Sequence, residues 1–427
     1  MPSAETVVML LAGGAGSRLN ILGQARAKPA IPFGGMYRII DFTLSNAMNS
    51  RLTNIGILTQ YKPYSLMTHI GTGASWDFVG QGRSAHILPP HTGTAEDDWY
   101  RGTADAVWQN WSHIEGFNSR YVLVLSGDHI YSMDYSKMID FHIERGADTT
   151  IAAMVIDPTE CRHFGMIHAD DDNKILRFEE KPKTTTSRLA SMGVYVFSTK
   201  ALEEDLRATK ARKGVDFGKD VLPSMLGRRR MFAYPFQGYW RDVGTIKAYW
   251  EAHMDLLDPD SGLDLEAWNV YTNPDDRSYQ DRPPSRLFKG AKVDGSLVAR
   301  GCSINGVVEK SILSPGVIVE SGAIVRRSVI LHDTIVRCGA KIDYAVIDKD
   351  VVIGEGAKVG HGRENPPNEQ YPTHLDCGIT LIGKGALVPA GITIGRSCIV
   401  KPRVREEDFA GDTVASGQTV DATPRME

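Results

Sequence analysis

The sequence lacks the features that mark a secreted, membrane-bound or nucleic-acid-binding chain. Its five cysteines (Cys161, Cys302, Cys338, Cys377 and Cys398) are odd in number, scattered, and never paired as CxxC. Free, mostly buried thiols in a reducing cytosol are the expectation. No apolar run approaches the roughly 20 residues of a membrane span. The first strand-like run starts within a few residues of Met1, which leaves no room for a signal or transit peptide and points to the cytoplasm. Histidines with zinc-ligand spacing are absent. The formal net charge is -4, which argues against general binding to nucleic acid or membrane surfaces. Any phosphate ligand must therefore be held by local basic residues.

The 427 residues are 42% hydrophobic and 23% charged, an ordinary globular composition for two or three domains. Two textures follow one another. From Thr6 to about Leu257, short apolar strands such as YVLVLSGD (residues 121–128) alternate with helix-like stretches such as YSKMIDFHIERG (135–146). That alternation implies an α/β, Rossmann-like domain with a mostly parallel sheet, placed at residues 1–262. From about Arg286, aliphatic residues recur every six positions: Ile312, Ile318, Ile324, Ile330, Val336 and Ile342. The register slips by one to Ile347, Ile353 and Val359, then resumes at Ile382, Val388, Ile394 and Val400. A period of six is the hexapeptide repeat of a parallel β-helix, with each of these aliphatics pointing inward. This domain is placed at 287–427, with a linker at 263–286. The Pro- and Asn-rich insertion at 361–378 reads as a long surface loop.

Near the N-terminus a strand runs into LLAGGAGSRL (10–19). It is not a P-loop, because no Lys-Ser/Thr follows at the required spacing. It begins like a dinucleotide fingerprint, but Leu19 stands where the third glycine would be. A row of backbone N–H groups beside Arg18 suits a polyphosphate, and a plain tight turn with a surface arginine is the alternative. Lys28 precedes Pro29, so an extended backbone and a freely projecting side chain are expected. Arg18 and Lys28 together supply two cations for a triphosphate or leaving pyrophosphate. Asp128 ends the strand YVLVLSGD, where α/β sheets place ligands, so it is either a helix cap or a metal ligand. Asp242 in YWRDVGT is a turn residue or a second ligand, and Lys181 in FEEKP, again just before a proline, reads from its neighbours as part of a surface charge run.

Taken in order, LLAGGAGSRL, RAKPAIPFGGMYRIIDFTLSN, ILTQY, WYRGTADAV, GDHIY, EEKP and YWRDVGT resemble the glucose-1-phosphate adenylyltransferase family. A left-handed parallel β-helix follows in that family too, so the resemblance covers nearly the whole chain. It implies transfer of a nucleotide from ATP to glucose 1-phosphate with release of pyrophosphate, feeding glycogen or another α-glucan. It implies that Asp128 and Asp242 coordinate Mg²⁺ and that Arg18, Lys28 and Lys181 act in catalysis. Gly13, Gly14, Gly16, Gln60 and Gly102 would surround the nucleotide together with Arg18 and Lys28. Tyr100, Gly165, Glu180, Lys181, Ser191 and Trp240 would contact glucose 1-phosphate, with Asp216 a further candidate. A homotetramer and a small-molecule allosteric effector are implied as well.

Trp99, Trp108 and Trp111 are expected to cluster, with Trp108 and Trp111 in the core. His129 is assigned a structural role, because the attacking phosphate is already ionised and needs no general base. Two positions depart from the family pattern. His91 and Thr92 stand where many relatives have a Gln-Gln pair near the base. Ala25 stands where many regulated members have a lysine, so activation by fructose 1,6-bisphosphate is expected to be weak or absent. The competing readings are another sugar nucleotidyltransferase using UTP, dTTP or GTP, and a non-catalytic regulatory subunit. Acyl transfer by the β-helix is disfavoured, since only His332 lies within the regular coils and His361 at their edge.

Overall fold

The run TVVMLL has no polar interruption because the strand it forms is covered on both faces. In the computed structural model, which describes residues 2–90, 99–275 and 281–424, this strand is an interior strand of a nine-stranded sheet. Its strands are β1 (Thr6–Leu11), β2 (Asn54–Leu58), β3 (Ser84–Leu88), β4 (Tyr121–Ser126), β5 (Thr149–Val155), β6 (Gly165–Ala169), β7 (Ile175–Glu180), β8 (Leu189–Ser198) and β9 (Met231–Pro235). The order is β7-β6-β8-β4-β1-β2-β3, with β5 branching beside β8 and β9 beside β5. The strands β3, β2, β1 and β4 are mutually parallel. Strand β8 enters antiparallel to β4, so the sheet is mixed beyond that point.

Side-chain alternation along β1 and β4 makes two cores. Val7, Met9, Val122 and Val124 face the helices Thr103–Gln109 and Thr199–Ala211. Val8, Leu10, Leu123 and Leu125 face Ile39–Asn49 and Tyr135–Glu144. Among the described residues no helix is long and apolar enough to cross a membrane.

The C-terminal region is a left-handed parallel β-helix of three sheets built from short strands. Cα partners along one sheet lie 17 residues apart, as in Ile324 with Lys341 and Lys341 with Lys358. A coil is thus two hexads and one pentad, which is why the repeat slips by one. Ile330 and the later members of the hexad series fill the core. Ile312, Ile318 and Ile324 do not, and their inward assignment is corrected by one residue. Leu313, Val319 and Val325 are the core residues, because strand alternation turns only one of two adjacent aliphatics inward. The 361–378 insertion is tied down rather than a free surface loop. Asn368 within it is fully buried, and its Nδ2 donates to the carbonyls of Ser397 and Gly417 at 3.0 and 2.9 Å.

The outward residues Val329, Val346, Leu381 and Ile399, on successive rungs of one sheet, pack against Phe33, Phe42, Ile246 and Tyr249. Beside this contact Arg26 makes a two-pronged ion pair with Asp348, at 3.0 and 2.9 Å. The segment after residue 262 is also anchored, since the Tyr271 carbonyl accepts from Ser45 Oγ and Trp76 Nε1.

His253, in the helix Ile246–Asp255, gives this contact an acid-sensitive element. Its Nδ1 donates to the Tyr249 carbonyl and its Nε2 accepts from the Gly34 N–H. A neutral ring satisfies both partners, and burial pushes its pKa down from 6.5 to about 4. As pH falls through that window, the unfolded chain takes up a proton that the folded chain refuses. The contribution is complete above the unfolded value and is lost toward the folded one, on the order of 3 kcal/mol. In urea unfolding from neutral pH to about pH 4, His253→Gln should lose less stability than the native chain by about that amount. Equal losses would place the acid sensitivity elsewhere.

Candidate active site

Two glycines allow the first loop to close. Gly16 has φ 64°, and a Cβ there would lie 3.1 Å from Lys28 Cβ. Gly23 has no room for a side chain, since its Cβ would sit 2.5 Å from the Gly16 carbonyl. Gly14 is open to solvent, with nothing within 4 Å. The Lys28 N–H donates to the Gly14 carbonyl at 3.0 Å, so the glycine loop and the RAKP stretch form one unit. Lys28 opens a 3₁₀ turn, Lys28–Ala30, rather than standing extended. Its side chain does not project freely either, and the residue is only 5% exposed.

The two carboxylates come from different ends of the fold. Asp128 follows β4 across Gly127, whose N–H donates to the Leu11 carbonyl at 3.0 Å. Asp242 lies on the short strand Trp240–Asp242, paired antiparallel with His129–Tyr131 so that Asp242 faces His129. That pairing sets the carboxylates side by side, and Lys28 Nζ bridges them at 2.9 Å to Asp128 and 2.6 Å to Asp242. Ser126 Oγ donates to the other Asp128 oxygen at 2.5 Å.

Burial opposes charge on all three groups, but their mutual attraction wins. The carboxylates hold the Lys28 ammonium above its usual value. Lys28, with His129 and the Ser126 hydroxyl, holds Asp128 well below the carboxylate range. Lys28 and His129 lower Asp242 as well, against repulsion from Asp128. His129 Nε2 lies 3.4 Å from Asp128 and 4.0 Å from Asp242. Its place beside both carboxylates was not legible in the sequence, because it depends on the pairing of two distant strands. Asp128, Asp242 and His129 offer ligand atoms within 4.8 Å of one another. Two ionised oxygen donors of this kind suit a hard divalent cation.

Of the residues singled out in the sequence, Gly14, Gly16, Arg18, Lys28, Asp128, Gly165, Glu180, Lys181, Ser191 and Asp242 line one cleft of about 330 Å³. Arg18 is exposed on its wall. Lys181 is 55% exposed, with Nζ 3.4 Å from Glu180. Glu180 fits because Gly165 and Gly218 lack side chains, since their Cβ atoms would lie 3.0 and 2.5 Å from its Oε2. Ser191 Oγ accepts from the Gly193 N–H. His129 also lines the cleft, and Ser17, Ser126, His163, Phe164, Gly193, Tyr195 and Gly244, which were not singled out in the sequence, complete it. Burial pushes the Tyr195 hydroxyl up to about 12, so it stays protonated as a donor.

Six expected residues lie outside this lining. Tyr100 is buried, with its hydroxyl donating to the Leu88 carbonyl and accepting from Asn110. Gln60 Nε2 donates to the Tyr100 carbonyl, and a Cβ on Gly13 would come within 3.2 Å of Gln60. Gly102 is required by the Val215 carbonyl, 2.4 Å from where its Cβ would be. Gln60 thus lies against the start of the glycine loop at Gly13. Trp240 lines an adjoining depression of about 830 Å³ that shares Arg18 and Asp242 with the cleft. Its ring meets His129 and Phe164 at 5.1 and 5.2 Å. Asp216 is a helix cap, accepting from the Lys219 N–H and Thr103 Oγ1. Trp108 and Trp111 stack at 6.0 Å, but Trp99 is exposed and stands apart from them. His91 and Thr92 lie outside the described residues.

The nucleotidyl transferase family profile matches residues 7–259, and that of the GlmU-like C-terminal hexapeptide matches 283–382. A glucose-1-phosphate adenylyltransferase of Acetivibrio thermocellus is 42% identical over 426 residues, covering 98% of both chains. One from Thermomicrobium roseum is 46% identical over 446 aligned residues, again covering 98% of each. One from Clostridium botulinum is 48% identical over 330 residues, covering 76% of this chain and 84% of the relative.

Proposed function

Because the chain belongs to the nucleotidyl transferase family, and within it to the glucose-1-phosphate adenylyltransferases, we propose that the Lys28–Asp128–Asp242 cleft carries out its chemistry. The enzyme makes ADP-glucose and pyrophosphate from ATP and glucose 1-phosphate. A phosphate oxygen of glucose 1-phosphate attacks the α-phosphorus in line, the bond to the pyrophosphate oxygen breaks, and no covalent enzyme intermediate is needed. The observation that carries this reading is the lysine held between two ionised carboxylates at the mouth of the glycine loop.

Asp128 and Asp242 would hold Mg²⁺, which when bound offsets phosphate charge and aligns the reacting oxygens. The N–H groups of the Gly13–Gly16 loop and Arg18 bind the triphosphate. Lys28 places a fixed positive charge where pyrophosphate leaves. Lys181 receives the phosphate of glucose 1-phosphate. Glu180 accepts from sugar hydroxyls above Gly165, and Ser191 lies beside them. Gln60, packed against Gly13 of the loop, and Gly102 lie toward the nucleotide and Tyr100 toward the sugar phosphate, while Trp240 closes the side shared with the larger depression. The enzyme works as a cytoplasmic homotetramer in glycogen or α-glucan synthesis, under a small-molecule effector. With Ala25 in place of a cation and Arg26 committed to Asp348, fructose 1,6-bisphosphate is a weak activator or none.

Pyrophosphate release with glucose 1-phosphate tests the donor. ATP should exceed UTP, dTTP and GTP in kcat/KM by about 100-fold or more. A preference for another triphosphate would shift base selection to the region of His91 and Thr92 and remove the ADP-glucose assignment.

A further inference from the structure

One oxygen of each acid in the cleft is turned onto the same ammonium. Lys28 Nζ lies 2.9 Å from Asp128 Oδ2 and 2.6 Å from Asp242 Oδ1. The other Asp128 oxygen is engaged as well, accepting from Ser126 Oγ at 2.5 Å. A divalent cation of magnesium's size, shared by the pair, needs an oxygen from each at about 2.0–2.1 Å. An ammonium already within hydrogen-bond distance of both leaves no room for it, and two cations in one gap repel. The Lys28 side chain is only 7% exposed, so solvent screens that repulsion weakly.

The lysine has another anion within its reach. Its backbone is locked under the glycine loop: the Lys28 N–H donates to the Gly14 carbonyl at 3.0 Å, and a Cβ on Gly16 would come within 3.1 Å of Lys28 Cβ. The base of the side chain is thus held directly beneath the loop, and its four-carbon stem is flexible. Gly14, Gly16 and Arg18 line the same cleft as Lys28, so a triphosphate seated on the loop comes to the lysine. An ammonium has three donors and no acceptor, and it can satisfy them on phosphate oxygens as well as on carboxylates.

We propose that Lys28 and a divalent cation compete for the same pair of carboxylates, and that a bound triphosphate decides the competition by drawing the ammonium to its own oxygens. The inference rests on the reading of this cleft as the nucleotidyl-transfer site. Before nucleotide binds, the lysine is the counter-charge of Asp128 and Asp242 and keeps divalent cations out. Once its ammonium has moved to phosphate oxygens, in charge-assisted hydrogen bonds, both acids are released to act as ligands. Triphosphate and divalent cation therefore favour each other's binding, by the same factor in either order.

The test is titration of the full chain with Mn²⁺ and no nucleotide, followed by the loss of the paramagnetic resonance signal of free Mn²⁺. Lys28→Met, neutral and of similar length, should bind Mn²⁺ at least about tenfold more tightly than the native chain. Adding Asp128→Asn to Lys28→Met should abolish that gain. The native chain and Asp128→Asn alone should differ by no more than about threefold, because the native carboxylate is already taken. A smaller gain in Lys28→Met, or a native affinity that exceeds that of Asp128→Asn by more than this margin, would overturn the proposal. The second comparison holds whether or not Lys28→Met folds. Pyrophosphate release by Asp128→Asn is measured separately. Its loss beside an unchanged Lys28→Met titration removes the competition alone, whereas retained release removes the reading of the cleft on which it rests.

Discussion

Lys28→Ala is expected to lower kcat by about 10²–10³-fold, the cost of removing one preorganised charge from a transition state that gathers negative charge. The side chain spans the gap between Asp128 and Asp242 from a buried position, so no neighbouring cation can take its place. Arg18 reaches the same cleft but is exposed on its wall. Without the ammonium, the two carboxylates face each other with no lysine between them, and the charge that held both of them ionised is lost. Lys28→Arg should rescue poorly, because a guanidinium is too wide for a buried slot that brings Nζ within 2.9 Å of both acids. Steady-state kinetics with ATP and glucose 1-phosphate read this directly. A kcat within tenfold of native for Lys28→Ala would show that the bridge only supports structure.

Arg26→Ala should destabilise the fold by about 3–5 kcal/mol, because it leaves a buried carboxylate without its counter-charge. The Arg26 side chain is 5% exposed and that of Asp348 0%. The two join the segment leading to Lys28 with a corner of the β-helix. One Asp348 oxygen also accepts from the Lys349 N–H, but a single amide cannot neutralise the charge. Replacing both partners, as in Arg26→Met/Asp348→Leu, should recover most of the loss, since the pair's Coulomb gain roughly balances its desolvation. Denaturant unfolding of the single and double variants checks this. Single-variant losses below about 1 kcal/mol would mean that water reaches the pair.

The sequence revealed those features whose cause is local. Strand alternation, the glycine loop, Asp128 at a strand end and Lys181 beside a proline all depend on neighbours within a few residues. The features it hid are products of long-range pairing. Lys28 meets Asp128 and Asp242 across 100 and 214 residues, and Arg26 meets Asp348 across 322. The hexad pattern identified the β-helix but missed its phase at Ile318 and Val319, where adjacent aliphatics are equally apolar and only the coil geometry chooses between them. The partners of Tyr100 were hidden in the same way, since its hydroxyl donates to the Leu88 carbonyl and accepts from Asn110. Asn368 shows the same limit, since a residue typical of loops is buried and holds the insertion against the last coils.

The central claim is that the carboxylate pair around Lys28 is where nucleotidyl transfer takes place. Asp128→Asn tests it most directly, because the amide keeps the shape of the side chain while removing the charge. Pyrophosphate release from ATP and glucose 1-phosphate should fall by about 10³-fold in this variant, with its thermal unfolding close to native. Release within tenfold of native would contradict the account and move the chemistry to another part of the fold.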